Sequence, residues 1–289
     1  MTERLVIYGN CQSIDMAEAL QRLPCLSGRY EVNYVAWHLL KLPGHRWEDM
    51  PDFAASRVVL WEQVGGEGGS QELLRQRLPR DVSVLRFPPL ACTALWPFEA
   101  PDLRGEADAP YGGNARYGMG DRIALELLHD AEALRLPDDA LYDLYLGRCA
   151  AEVPRLERRL GFDRARAEAR DRDSDIAFTP FVFENFREQR LFHDPRHIAG
   201  PMLREALRML LRASADRLGI DAEVSCRELD VLLSGHDGQT YSQMPINPLV
   251  AEAFGLHYGD AASRIRLNNN SWTFRDYVVN YIRWRPYAS

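Results

Sequence analysis

LVIYGNCQS, residues 5–13, is the stretch on which the reading of the fold turns. Residues 5–8 form a short run of strand-forming side chains, and Gly9-Asn10 breaks it. The chain then delivers Cys11 to the start of a helix expected over 12–23, where Ile14, Ala17, Leu20 and Leu23 recur at helical spacing. A thiol in that position sits at the top of a strand, beside backbone N–H groups and the positive end of a helix dipole. Both features favour the thiolate and make the sulfur more nucleophilic. The N–H groups of such a strand-to-helix turn, here around Gly9, Asn10 and Gln12, can also hold an oxyanion. A small apolar cysteine buried under the sheet edge is the other reading, and spacing alone leaves both open.

Further β-type runs lie at 31–37, 57–61 and 82–87, separated by helical or irregular segments. That alternation predicts a parallel sheet covered by helices. Ligands of an open parallel sheet bind beyond the carboxyl ends of its strands. Cys11, Trp37-His38, Glu62-Gln63 and Pro88-Pro89 would then share one rim, with the Gly-rich loop 64–70 beside it. Beyond residue 90 the pattern changes. Residues 94–121 are rich in Gly, Pro and aromatics and read as an ordered, lid-like loop. Helices are expected over 122–135, 138–160 and 202–218, the last with Pro201 at its first turn and Gly219 at its end. The run 164–175 mixes both charge signs and reads as a solvated helical face. A final helix over 272–284 is expected to pack on the core rather than to form a dimer interface, which leaves a homo-oligomer open.

Composition narrows the class. The 289 residues carry a formal net charge of -7, which argues against nucleic acid as a partner. No apolar run reaches the roughly 18 residues of a membrane span. The N-terminus lacks the basic start and apolar core of a signal peptide. Five scattered cysteines, Cys11, Cys25, Cys92, Cys149 and Cys226, then read as reduced thiols of a cytoplasmic protein. No spacing points to a metal site.

A nucleophilic cysteine needs a base. Of seven histidines, His197 has the best local setting, in RLFHDPRHIAGPM (190–202), with Asp194 three residues before it and a long apolar helix just after. A DxxH loop can present a carboxylate and an imidazole to one site, the imidazole taking the thiol proton. His38, at the end of the second strand, is the rival base, and His129 reads as an ordinary helix residue.

GNC (9–11) resembles the first block of the SGNH/GDSL hydrolase superfamily, with Asn for Asp and Cys for Ser, and DPRH (194–197) resembles its late Asp-x-x-His block. More specifically GNCQS, RLFHDPRH and SQMPINPLVAEAFGL (242–256) resemble the WcbI-type polysaccharide-biosynthesis acetyltransferases. The resemblance implies one SGNH-like three-layer α/β/α domain over 1–289, with a sheet core over 1–93, the lid-like loop and a helical remainder from 122. It further implies that acetyl-coenzyme A is bound and its acetyl group passed to a sugar hydroxyl of a capsular or exopolysaccharide precursor. By position Cys11 takes the nucleophile or acyl-contacting place, His197 the general base and Asp194 the place beside it. The superfamily's Gly-x-Asn-Asp block has no clean counterpart. Asn114, in GGNAR (112–116), and Gln63 are the alternative oxyanion amides, while Arg86 and Arg116 are available for the coenzyme A phosphates. An esterase using water as acceptor, and a non-catalytic coenzyme A- or sugar-binding module, are the competing functions.

Overall fold

Burial on both sides turns the first strand-forming run into a central strand. In the computed structural model, which describes residues 3–36, 53–63, 70–105, 117, 119–238, 243–267 and 270–285, Leu5, Val6, Ile7 and Tyr8 are all fully buried. They belong to β1 (Glu3–Gly9), which pairs in parallel with β2 (Tyr30–Ala36) on one side and β3 (Ser56–Glu62) on the other; β4 (Ser83–Phe87) pairs in parallel with β3. Continuous apolar burial of this kind is what a parallel sheet covered on both faces requires. The spatial order is β2-β1-β3-β4. Helix α1 (Gln12–Gln21) connects β1 to β2, and α2 (Ser70–Arg77) connects β3 to β4. These two crossovers step in opposite directions across the sheet, so right-handed connections put α1 and α2 on opposite faces. The order therefore reverses between β1 and β3, and the carboxyl ends of those two strands form the switch point where open α/β sheets place their ligands.

Strand alternation assigns the faces. Val6, Tyr8, Val35, Val59 and Trp61 form one cluster with Phe53 and with Leu74 of α2. Within it the Tyr8 and Trp61 rings lie 4.7 Å apart. The opposite face carries Leu5, Ile7, Val58, Leu60, Leu85 and Phe87, all buried.

The chain divides into two compact units that interleave in sequence: residues 1–91, 164–183 and 197–239 form the first, and 92–163, 184–196 and 240–289 the second. Helix α8 (Gly200–Leu218) belongs to the sheet unit through its apolar stripe. Met202, Leu203, Ala206, Leu207, Leu210 and Leu211 are buried, and Tyr30 Oη of β2 donates to the Leu218 carbonyl at 3.0 Å. Gly219, at φ 61°, ends α8 in the left-handed conformation that glycine tolerates best. Helix α9 (Ala222–Leu232) follows in the same unit.

The second unit holds the two-stranded β5 (Glu99–Ala100) and β6 (Gly120–Asp121), then α3 (Arg122–Leu128), α4 (Ala131–Arg135) and α5 (Asp138–Ala150). Helix α10 (Pro248–Phe254), the hairpin β7 (Arg264–Leu267) and β8 (Asn270–Thr273), and α11 (Phe274–Arg283) complete it. Between them α6 (Leu156–Arg172) and α7 (Thr179–Asn185) carry the chain from one unit to the other. The single helix expected over 138–160 is interrupted by a 3-10 turn at 153–155, because Pro154 cannot continue a helix through its interior. The described part of the lid-like stretch is packed rather than free. Leu95, Trp96 and Phe98 are buried, and Trp96 Nε1 donates to the Pro245 carbonyl at 3.2 Å. Among the described residues no helix is long and apolar enough to cross a membrane.

The dependence of the sheet on α8 gives a direct expectation. Leu210 is fully buried, whereas Val231 on α9 is 78% exposed. Leu210→Ala should cost about 2–5 kcal/mol in urea unfolding, and Val231→Ala should stay within about 0.5 kcal/mol of the parent. Equal effects would contradict the packing described.

Candidate active site

The turn after β1 is built by a carboxylate from β3. Glu62, only 1% exposed, accepts the Asn10 backbone N–H at 2.5 Å and Asn10 Nδ2 at 2.8 Å. Asn10 Oδ1 in turn accepts the Gln12 N–H at 2.8 Å, and the Asn10 carbonyl accepts Ser13 Oγ at 2.6 Å. Gly9 is obligatory here, because a Cβ would stand 2.5 Å from Glu62 Oε2 and 3.3 Å from the Ser13 Cβ. Gln12 is buried too, its Nε2 donating to the Leu90 carbonyl at 2.7 Å. The side chains and N–H groups of Asn10 and Gln12 are therefore engaged in shaping the turn. What they present is Cys11, the N-cap of α1, half-buried and at the positive end of that helix.

His197 meets this sulfur. Cys11 Sγ and His197 Nε2 lie 3.4 Å apart, within reach of a sulfur–nitrogen hydrogen bond although 186 positions separate them. The histidine arrives on the segment leading into α8. Ala199 forms an isolated bridge with Gly238. A Cβ on Gly200 would collide with the His236 carbonyl, and Gly238, at φ 73°, lies against the Ile198 carbonyl. Two glycines thus allow two backbones to touch just beyond His197, which fixes where its ring begins. Asp194 is buried, and its Oδ1 accepts the Arg196 N–H at 2.8 Å, closing the DPRH loop as an aspartate turn.

Of the remaining candidates, Gln63 donates its amide to the Asp173 carbonyl at 2.7 Å, and Arg86 pairs with Asp175 at 3.5 Å. His38, Asn114 and Arg116 lie outside the described residues. Glu62 stands on the rim expected from the sequence, but no role was assigned to it there. It was visible only as a charge at a strand end, although an acidic side chain closing an otherwise apolar buried strand was the available signal. Among the described residues no group of His, Cys, Asp and Glu is arranged to hold a metal ion.

The other thiols sit in unreactive settings. Burial pushes Cys92 and Cys149 up to about 12, and it also raises Cys25 and Cys226. Loss of the thiol proton is therefore unfavourable at all four near neutral pH.

A family model described as polysaccharide biosynthesis enzyme WcbI matches residues 4–221, and the chain belongs to that family. A solved structure described as WcbI, a novel polysaccharide biosynthesis enzyme, shares the fold with a TM-score of 0.67 at 15% identity, the match covering 98% of this chain and 90% of that one. That structure is described as the native protein without a disulfide bond between coenzyme A and one of its cysteines. No curated protein matches the chain.

Two outcomes follow from the geometry. Limited alkylation at about pH 6.5, below the free-thiol value of about 8.5, should label Cys11 first, as read by peptide mass. Labelling of any other cysteine first would contradict the site. Glu62→Gln puts a donor where Asn10 needs an acceptor. It should cost about 1–3 kcal/mol and slow Cys11 labelling; wild-type labelling in a folded Glu62→Gln protein would show that the bridge does not set the sulfur.

Proposed function

We propose that this member of the WcbI family is an acyltransferase that passes the acetyl group of acetyl-coenzyme A to a sugar hydroxyl in polysaccharide biosynthesis, with Cys11 and His197 as its working pair. The observation that carries the reading is the 3.4 Å approach of Cys11 Sγ to His197 Nε2 at the switch point of the sheet. The family's description supports it, as does the naming of coenzyme A and a cysteine together in the description of the structural relative.

In this mechanism His197 Nε2 takes the thiol proton while Sγ attacks the acetyl carbonyl. Collapse of the tetrahedral species breaks the bond to the coenzyme A sulfur, which leaves as a thiol with the proton from His197. One thioester is made for one broken, so the step is close to balanced in energy. His197 then takes the proton of the sugar hydroxyl as its oxygen attacks the Cys11 thioester. The sugar ester leaves, and Cys11 recovers its proton. A direct route uses the same imidazole to activate the hydroxyl against acetyl-coenzyme A, with no adduct on Cys11. In either route the positive end of α1 favours the developing oxyanion, and Asp194 supplies a carboxylate on the loop that carries the base. Asn10 and Gln12 act as builders of the turn. A reduced thiol and a coenzyme A donor both suit a cytoplasmic setting.

The test is release of coenzyme A thiol from acetyl-coenzyme A, with and without an oligosaccharide acceptor. Sugar-dependent release that falls by about 100-fold or more in His197→Ala supports the transferase; release that ignores the sugar marks an esterase, and no release marks a binding module. The rate should also climb between about pH 5.5 and 8 as an imidazole base loses its proton. A flat profile would remove His197 from that role.

A further inference from the structure

The face of the sheet that carries α2 holds a second feature, separate from the Cys11 turn. Over β3 and β4 a cavity of about 560 Å³ is floored by Trp61, Val82 and Val84 and closed by Leu78 just beyond α2. That volume lies within the range of about 300–1,000 Å³ typical of small-molecule sites. Three arginines line it, Arg75, Arg80 and Arg86, and among the described residues no carboxylate residue does. Arg75 is pre-oriented, its guanidinium 5.4 Å from the centre of the Trp61 ring. Arg86 is held by Asp175 at 3.5 Å from outside the lining, whereas Arg80 makes no ion pair among the described residues. Mixed-sign clusters are the usual state of an arginine-rich surface, as along α6; a concave site with three cations and an apolar floor is different.

We propose that this cavity binds an organic phosphate: the guanidinium groups take the phosphoryl oxygens, and the floor of Trp61, Val82 and Val84 takes the carbon skeleton of the ester. Arginine matches phosphate through paired, parallel N–H donors. The apolar floor has nothing to offer inorganic phosphate, which argues for an ester. The cavity also reaches Gln63, the neighbour of the Glu62 that holds the Cys11 turn. A ligand anchored on the α2 face can therefore extend across the carboxyl edge of β3 toward the sulfur. Two substrates of the reading above carry such a group, the nucleotide end of coenzyme A and a phosphorylated sugar acceptor. For the identity of its ligand the proposal rests on that reading; for binding itself it does not.

Calorimetric titration of the full chain with adenosine 3′,5′-bisphosphate and, separately, with glucose 1-phosphate tests it at fixed ionic strength. One of the two should bind, and both Arg80→Ala and the Arg75→Ala/Arg80→Ala pair should weaken it, the pair by about tenfold or more. Binding of the bisphosphate assigns the cavity to coenzyme A, and binding of the sugar phosphate assigns it to the acceptor. Arg80→Ala serves as the variant least able to disturb folding, since among the described residues Arg80 makes no ion pair. Millimolar probe without heat of binding, or binding indifferent to both arginines in folded protein, overturns the proposal. Those results leave sugar-dependent coenzyme A release untouched, so failure here and failure of the acyltransferase reading are told apart.

Discussion

A carboxylate with almost no access to water ties together the two strand ends on which the site rests. Burying Glu62 is unfavourable unless its charge is met by donors. Asn10 supplies two of them, at 2.5 and 2.8 Å, one from its backbone and one from its side chain. The bridge joins the carboxyl end of β3 to the turn after β1, where the strand order reverses. It also explains why Gly9 has no side chain, and why the Asn10 side chain and N–H are held at the turn. Cys11 is the residue this arrangement leaves at the mouth of α1.

The imidazole of His197 reaches that sulfur through packing rather than through local sequence. One face of the sheet needs a cover beyond α1, and the stripe of α8 from Met202 to Leu211 provides it. His197 stands just before α8, so the burial that completes the sheet unit also delivers the imidazole. The close approach of Gly200 and Gly238 fixes the entry of the helix.

Much of the first unit was legible in the sequence because its signals are local. The apolar runs at 5–8, 31–37, 57–61 and 82–87 correspond to β1 to β4, and their alternation with helices implies the parallel pairing found. Pro201, the leucine stripe and Gly219 mark α8 to within two residues. Cys11 and His197 were singled out by a turn and a DxxH loop, but their meeting depends on contacts across 186 positions. Glu62 was placed on the rim, but its role in the turn was hidden for the same reason, since its partner lies 52 positions away. The second unit was the least readable. Its short pairings, β5 with β6 and β7 with β8, carry too few residues for alternation to stand out. Arg104 there packs against the rings of Tyr281 and Trp284 at 4.6 and 4.7 Å while pairing with Asp102, a cluster that no spacing announces.

The central question is whether the sulfur of Cys11 takes part in acyl transfer. Sugar-dependent release of coenzyme A from acetyl-coenzyme A, compared between the parent and a folded Cys11→Ala protein, measures this directly, and mapping peptides by mass after an acid quench without sugar tells the two routes apart. Transfer should fall in Cys11→Ala by either route; an acetyl group on the peptide bearing Cys11, discharged by added sugar, marks the covalent route, and its absence marks the direct one. Undiminished transfer by Cys11→Ala would contradict a working role for the sulfur.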